Sequence, residues 1–265
     1  FDASILSEDA SIKFNQLEMT KDEFKNLGNI HHAMFNEISF PDGWVETVNY
    51  IGSDIKNAGG RYKDSYGEVW TSQWTDWSGI SKISGDTLSN PSFFGYKWEG
   101  DKIVEIQAIW DIPEVMLQAR AWPLAPSLGW EGFIPSPASQ DGLRIEDKFE
   151  GQGQANADLV IDMLQHLVRH PAEGGPAVMQ LERFWHPRMN WYGPGGIGTT
   201  RGIAGFRNWH QIPFLKAMPD RGQQTQGVAS HLFGEGQYVA VTGWPNMRQT
   251  LTHDGWLGIA PAGQE

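Results

Sequence analysis

The sequence predicts an α+β protein built as two successive halves, each an antiparallel sheet packed on helices. Three observations lead there. Residues 122–154 carry prolines at 123, 126, 135 and 137, abundant glycine and no sustained periodicity, so they read as a linker between candidate domains at 1–121 and 155–265. Each side of that linker carries helix signals and strand signals, with strands in the majority. The tight Glu99-Gly100-Asp101-Lys102 connection marks a hairpin between two alternating segments.

In the first half, residues 10–16 form a candidate strand. Thr20 caps a helix over 21–35, with Glu23 as its capping-box partner. Residues 44–50, 68–77, 93–98 and 103–110 read as strands. In the second half, Val160, Met163, Leu164, Leu167 and Val168 share one helical face, with Asn156 as the expected cap and Pro171 as the stop. A second helix is expected over 175–185, a short strand over 189–192, and two closing strands over 226–233 and 238–252.

The most particular stretch is residues 186–220, HPRMNWYGPGGIGTTRGIAGFRNWHQIPFLKAMPD. It combines a His-Pro, a strand with an aromatic near its end, a Gly-Pro-Gly-Gly turn, an Arg-Gly opening a helix, and a Pro-Asp end. This resembles the SnoaL-like polyketide cyclase family of the nuclear transport factor 2-like superfamily, with Met218 in place of the usual aromatic before Pro219-Asp220. The final LTHDGWLGIAPAGQE resembles the family's Thr-His-x-Gly…Gly-x-x-Pro-x-Gly segment. GDKIVEIQAIWDIPEVMLQ resembles its closing strand and tail. The resemblance implies two tandem cone-shaped, cystatin-like α+β barrels, each a curved antiparallel sheet around a conical pocket. It also implies cofactor-free and metal-free proton transfer or aldol ring closure on a small apolar carbonyl compound. By the family pattern the first half lacks a leading helix and the second lacks its last strands.

The chemistry of such a pocket rests on a carboxylate whose pKa is raised by desolvation, with donors that stabilise an enolate oxygen. The family's Glu-His-Trp-Asp falls on Glu105, Ile106, Gln107 and Ala108, so its His and Asp are absent here. Alternation puts Ile106, Ala108 and Trp110 on one face and Glu105, Gln107, Ile109 and Asp111 on the other. Asp111 matches a later family Asp, and with Pro113 close by it also reads as a cap or turn. Asp76 shares a strand face with Trp70, Ser72 and Trp74, which suits either a raised-pKa base or a solvated strand end. His253, at the family's Thr-His, completes the catalytic candidates, with Asp254 able to orient it. Trp74, Trp191, Tyr192, His210 and Phe214 are the ligand-binding candidates. Trp191 and Tyr192 point to opposite faces of their strand. His210 could donate to a ligand carbonyl or satisfy a backbone group.

Composition narrows the alternatives. The net charge of -12 disfavours nucleic acid as a partner. No apolar run reaches the ~18–20 residues of a membrane span, so no membrane partner is expected. The absence of cysteine removes disulfides, thiolate catalysis and Cys-ligated zinc. His31-His32 lacks the spacing of a zinc pair, and no metal site is expected. Gly193, Gly195 and Gly198 match a dinucleotide fingerprint only formally, because Pro194 removes a backbone donor within the turn. The 13 Trp and 13 Phe suit core packing first and, as the sharper alternative, an aromatic-walled pocket for a planar apolar guest. The rival functions are a non-catalytic ligand-binding or scaffold protein and a subunit-assembly module. The two halves are expected to pack as a pseudo-dimer, with a homodimer as a further state.

Overall fold

The computed structural model describes residues 3–15, 17–40, 45–60, 62–119, 143–169, 180–192, 199–208, 230–242 and 250. Its centre is a seven-stranded sheet of β1 (Leu6–Phe14), β2 (Leu17–Met19), β3 (Phe35–Ser39), β4 (Val45–Tyr50), β6 (Val69–Ser81), β7 (Thr87–Glu99) and β8 (Lys102–Trp110). The order is β2-β1-β8-β7-β6-β3, with β4 pairing the other end of β6. All ladders are antiparallel except β1–β8, which is parallel. Register shifts in the β1–β8, β3–β6 and β7–β8 ladders mark the bulges that curve such a sheet. The fold class is α+β, as the sequence indicates.

Each element follows from its residues. The helix α1 (Lys21–Met34) starts at a complete Thr20/Glu23 capping box. Phe24, Leu27 and His31 turn inward along one stripe, while Ile30 and Met34 stay exposed. The β7–β8 hairpin turns at Gly100, whose φ of 61° suits the first central position of a tight hairpin turn. β7 begins at Thr87, well before the expected 93, because Pro91 lies beyond the last β7–β8 pair, Ser92↔Trp110, and its missing N–H costs no ladder bond there. Past that point Gln118 of α2 (Ile112–Gln118) stands in for a strand: its side chain accepts from Ser89 N at 2.8 Å and donates to Ser89 O at 2.7 Å.

One face of the sheet, with α1, encloses Leu6, Ile12, Phe14, Phe35, Trp77, Leu88, Ile106, Ala108 and Trp110. The other face is also buried, and residues beyond the linker bury it. The hairpin β11–β12 (Ser230–Glu235, Tyr238–Thr242) packs there, α3 (Gly153–Arg169) packs on that hairpin, and β11 pairs in parallel with β5 (Tyr62–Lys63). Phe233 stacks on Trp70 with centroids 4.4 Å apart and meets Tyr50 edge-on at 5.2 Å. Ile55, Ala58, Ala157 and Leu232 form a further small core. Backbone bonds tie the same pieces together, Asp54 N to Gly234 O at 2.8 Å among them. A separate cluster joins Leu181, Ile203 and Phe206 with Trp185 and Trp191 around β9 (Asn190–Tyr192), β10 (Thr199–Arg201) and α4 (Gly202–Phe206).

Two expectations need correction. Asn156 does not cap α3: the helix starts earlier, at Gly153, whose N–H is accepted by Asp54 Oδ2 at 3.2 Å, and Asn156 donates to Gly236 O instead. Within the helix expected over 175–185, the described residues hold only the 3-10 turn Leu181–Arg183. Among the described residues, the segment after the linker adds no second large sheet, and no helix is long and apolar enough to cross a membrane.

Gly79 shows how tightly the inner face is packed. A Cβ there would stand 2.9 Å from Trp77 Cη2 and 3.3 Å from Phe35 Cβ. Gly79→Ala is therefore expected to lower unfolding stability by about 1–3 kcal/mol, read from the urea midpoint.

Candidate functional site

The inner face of the sheet carries the arrangement with the clearest chemical potential. β6 and β8 send Trp77 and Trp110 inward, and α1 lays His31 across them. The three ring centroids form a triangle: His31–Trp110 4.9 Å, His31–Trp77 5.8 Å and Trp77–Trp110 5.3 Å. Phe14 and Phe35 close the ring set, at 5.8 Å from Trp110 and 4.8 Å from Trp77. Ile106 and Ala108 supply an apolar floor where the family pattern has its His and Asp.

Three buried polar atoms in this interior lack a hydrogen-bond partner: Trp77 Nε1, Trp110 Nε1 and Asn90 Oδ1. Their residues are 1%, 6% and 0% exposed. Unpaired buried donors and acceptors each cost about 1–3 kcal/mol, so each of these three atoms would gain from a hydrogen bond to water or to a polar guest. His31 is half-buried, and no described residue hydrogen-bonds its ring. Burial, with His32 as a secondary cause, holds its imidazole below the ordinary histidine range. Burial also lifts the nearby Tyr96 hydroxyl well above its usual range, leaving it neutral.

The outer face holds a different set. Trp74 lies 5.2 Å from Phe93 and 6.0 Å from Tyr192, so this residue from beyond the linker comes to the strand face that Asp76 shares. Asp76 is raised by burial, against hydrogen bonds from Ser89 Oγ at 2.7 Å and from the Asn90 backbone. Glu46, directly across from Trp74, is likewise raised by burial. Further along, His231 Nε2 lies 2.9 Å from Glu105 Oε1, with Gln107 Nε2 donating to the same carboxylate at 2.7 Å. Burial alone would raise Glu105, but His231, Gln107 and Lys63 outweigh it and hold the carboxyl below the usual range.

The sequence candidates therefore separate. Trp74, Asp76 and Tyr192 share the outer side. Trp191 points the other way and packs on Phe206 at 4.7 Å, which bears out the opposite orientation expected of this pair. Asp111 immediately precedes α2, and its carbonyl accepts Val115 N at 3.2 Å, the position of a helix cap. His210, Phe214 and His253 lie outside the described residues. The sequence reading passed over His31 as a site residue, although its spacing from Phe24 and Leu27 on one helical stripe marks it as inward. It passed over Asn90 because nothing local distinguishes a buried strand Asn from a turn Asn.

No protein-family model matches the chain, and no curated protein matches it. Solved structures do. A protein of ketosteroid isomerase-like fold from Catenulispora acidiphila, in complex with trimethylamine, is 13% identical with a TM-score of 0.33, covering 45% of this chain and 82% of that one. A candidate polyketide cyclase from Xanthomonas campestris pv. campestris is 13% identical with a TM-score of 0.32, covering 44% and 81%. Another from Pseudomonas putida is 16% identical with a TM-score of 0.31, again covering 44% and 81%. Such distant likenesses say nothing about activity.

A histidine held below its unfolded pKa binds its proton less readily in the folded chain. Its contribution to stability is complete above the unfolded value of about 6.5 and is lost as pH falls below it toward the folded value. The urea midpoint should therefore drop between pH 7.5 and 5.5 more in the wild type than in His31→Gln.

Proposed function

We propose that the ring-lined interior binds a small, largely apolar carbonyl compound and promotes proton transfer at the carbon beside the carbonyl. That step is common to aldol ring closure and double-bond isomerisation, and it needs neither metal nor cofactor. On this reading the chain is of the SnoaL-like cyclase type, with residues 155–265 as a second copy packed on the first as a pseudo-dimer. The packing of the β11–β12 hairpin on the outer face supports that arrangement.

The single observation carrying the proposal is the pair of buried indole N–H groups with no acceptor. In an apolar enclosure such donors interact strongly with a carbonyl oxygen, and more strongly with the enolate oxygen that forms from it. Asn90 Oδ1 adds an acceptor for a hydroxyl on the same molecule.

A second reading, a non-catalytic small-molecule binder, is favoured by Ile106 and Ala108, which leave the inner face of β8 without a carboxylate. The two separate on one measurement with 2-indanone in D2O: binding with accelerated α-proton exchange supports the enzyme, and binding without it supports the binder.

The donors are tested by calorimetric titration of Trp110→Phe. Loss of one neutral hydrogen bond should weaken 2-indanone binding ~3- to 10-fold. Indane, the same skeleton without the carbonyl, should be affected much less. An equal loss for both ligands would reduce Trp110 to packing and remove it from carbonyl recognition.

A further inference from the structure

We propose that His31 is the base of this interior: its imidazole takes the proton from the carbon next to a ligand carbonyl whose oxygen is held by the Trp77 and Trp110 indole N–H groups. The inference rests on the carbonyl-binding reading above and assigns the group that carries out its chemistry.

The argument begins from position. Phe24, Leu27 and His31 form the inward stripe of α1, so the imidazole is delivered to the interior by the same periodicity that delivers its apolar neighbours. Its ring centre lies within 6 Å of both indoles whose N–H groups are unpaired. No hydrogen bond from a described residue occupies either ring nitrogen, so both can meet a guest or water. It is also the most accessible of the three rings: His31 is half-buried, whereas Trp77 and Trp110 are 1% and 6% exposed.

Elimination leads to the same residue. The closing strand offers Ile106 and Ala108 to the interior. The carboxylates of Glu46, Asp76 and Glu105 stand on the opposite face of the sheet, and Asp111 follows β8 at the head of α2. The apolar surroundings keep the imidazole neutral and so able to accept a proton.

The step balances without a further reactant. A neutral ring nitrogen forms an N–H bond as the carbon–hydrogen bond breaks. The freed electron pair becomes the new carbon–carbon π bond, and the carbonyl π pair moves onto oxygen as an enolate held by the indole N–H groups. The imidazolium then returns the proton, to carbon in an isomerisation or exchange, or to the alkoxide formed when the enolate attacks a second carbonyl.

The test measures α-proton exchange of 2-indanone in D2O by NMR, alongside calorimetric binding of the same ketone, on the full chain. The wild type is expected to accelerate exchange. His31→Gln should bind within ~3-fold of the wild type and lose ~100-fold or more of the exchange rate, the contribution typical of a positioned base. His31→Ala should regain exchange when free imidazole is added, a recovery that a packing role cannot produce. Glu46→Gln should exchange as the wild type does. A His31→Gln protein that binds and exchanges normally overturns the assignment while leaving carbonyl binding intact. Loss of exchange in His31→Ala with no recovery in imidazole overturns it too. A wild type that neither binds nor exchanges 2-indanone brings down both this assignment and the functional reading beneath it.

Discussion

The central sheet of β6, β7 and β8 carries large buried rings on both faces, and covering both faces organises the rest of the molecule. Strict alternation along β6 sends Trp77 to one side and Trp70 to the other, each at most 1% exposed. An antiparallel sheet with one dry face needs a single cover; this one needs two. α1 and its aromatic stripe supply the first. The second comes from residues beyond the linker, where Phe233 lies flat on Trp70 and the β11–β12 hairpin closes over it.

The two covers differ in chemistry. On the outer side Ser65 Oγ donates to Leu232 O at 2.8 Å, Glu235 accepts from Ile51 N at 2.6 Å, and Gln154 accepts from Lys56 N at 2.8 Å, while His231 Nδ1 and Thr242 Oγ1 are buried without a partner. These bonds cross the proposed domain boundary, so the chain on either side of the linker is held by specific contacts and not by apolar burial alone. On the inner side apolar packing is just as close, yet two indole N–H groups and one amide oxygen are left over. A purely structural core would be more stable with apolar residues at those positions. Retaining the donors is understandable if a ligand completes them.

On the proposed reading the chemistry lies on α1 and not on the closing strand. With Ile106 and Ala108 on the inner face of β8, the closing strand contributes shape and dryness and no charge. A dry interior raises the effect of every remaining polar group, because each acts in a low dielectric. On the proposed reading, one half-buried imidazole and two buried indoles hold and polarise the carbonyl. Burial likewise raises Glu46 and Asp76 on the outer face, so a raised pKa alone does not locate a site.

By itself the sequence determined what depends on near neighbours. The Thr20/Glu23 capping box, the hairpin at Gly100, the alternation that separates Ile106 and Ala108 from Glu105 and Gln107, and the opposed directions of Trp191 and Tyr192 were all legible, because each is set by local periodicity or turn chemistry. The start of β7 was not, since Pro91 looks like a strand breaker until one sees that β8 has ended beside it. The start of α3 was hidden for a similar reason: its first N–H is satisfied by Asp54, far away in the chain. Tertiary structure alone decided which face of β6 meets α1, and so placed Asp76 opposite the ring-lined interior and His31 within it. Strand alternation defines two faces but does not name them; only the packing of distant segments, driven by the apolar area each must hide, tells the inside from the outside.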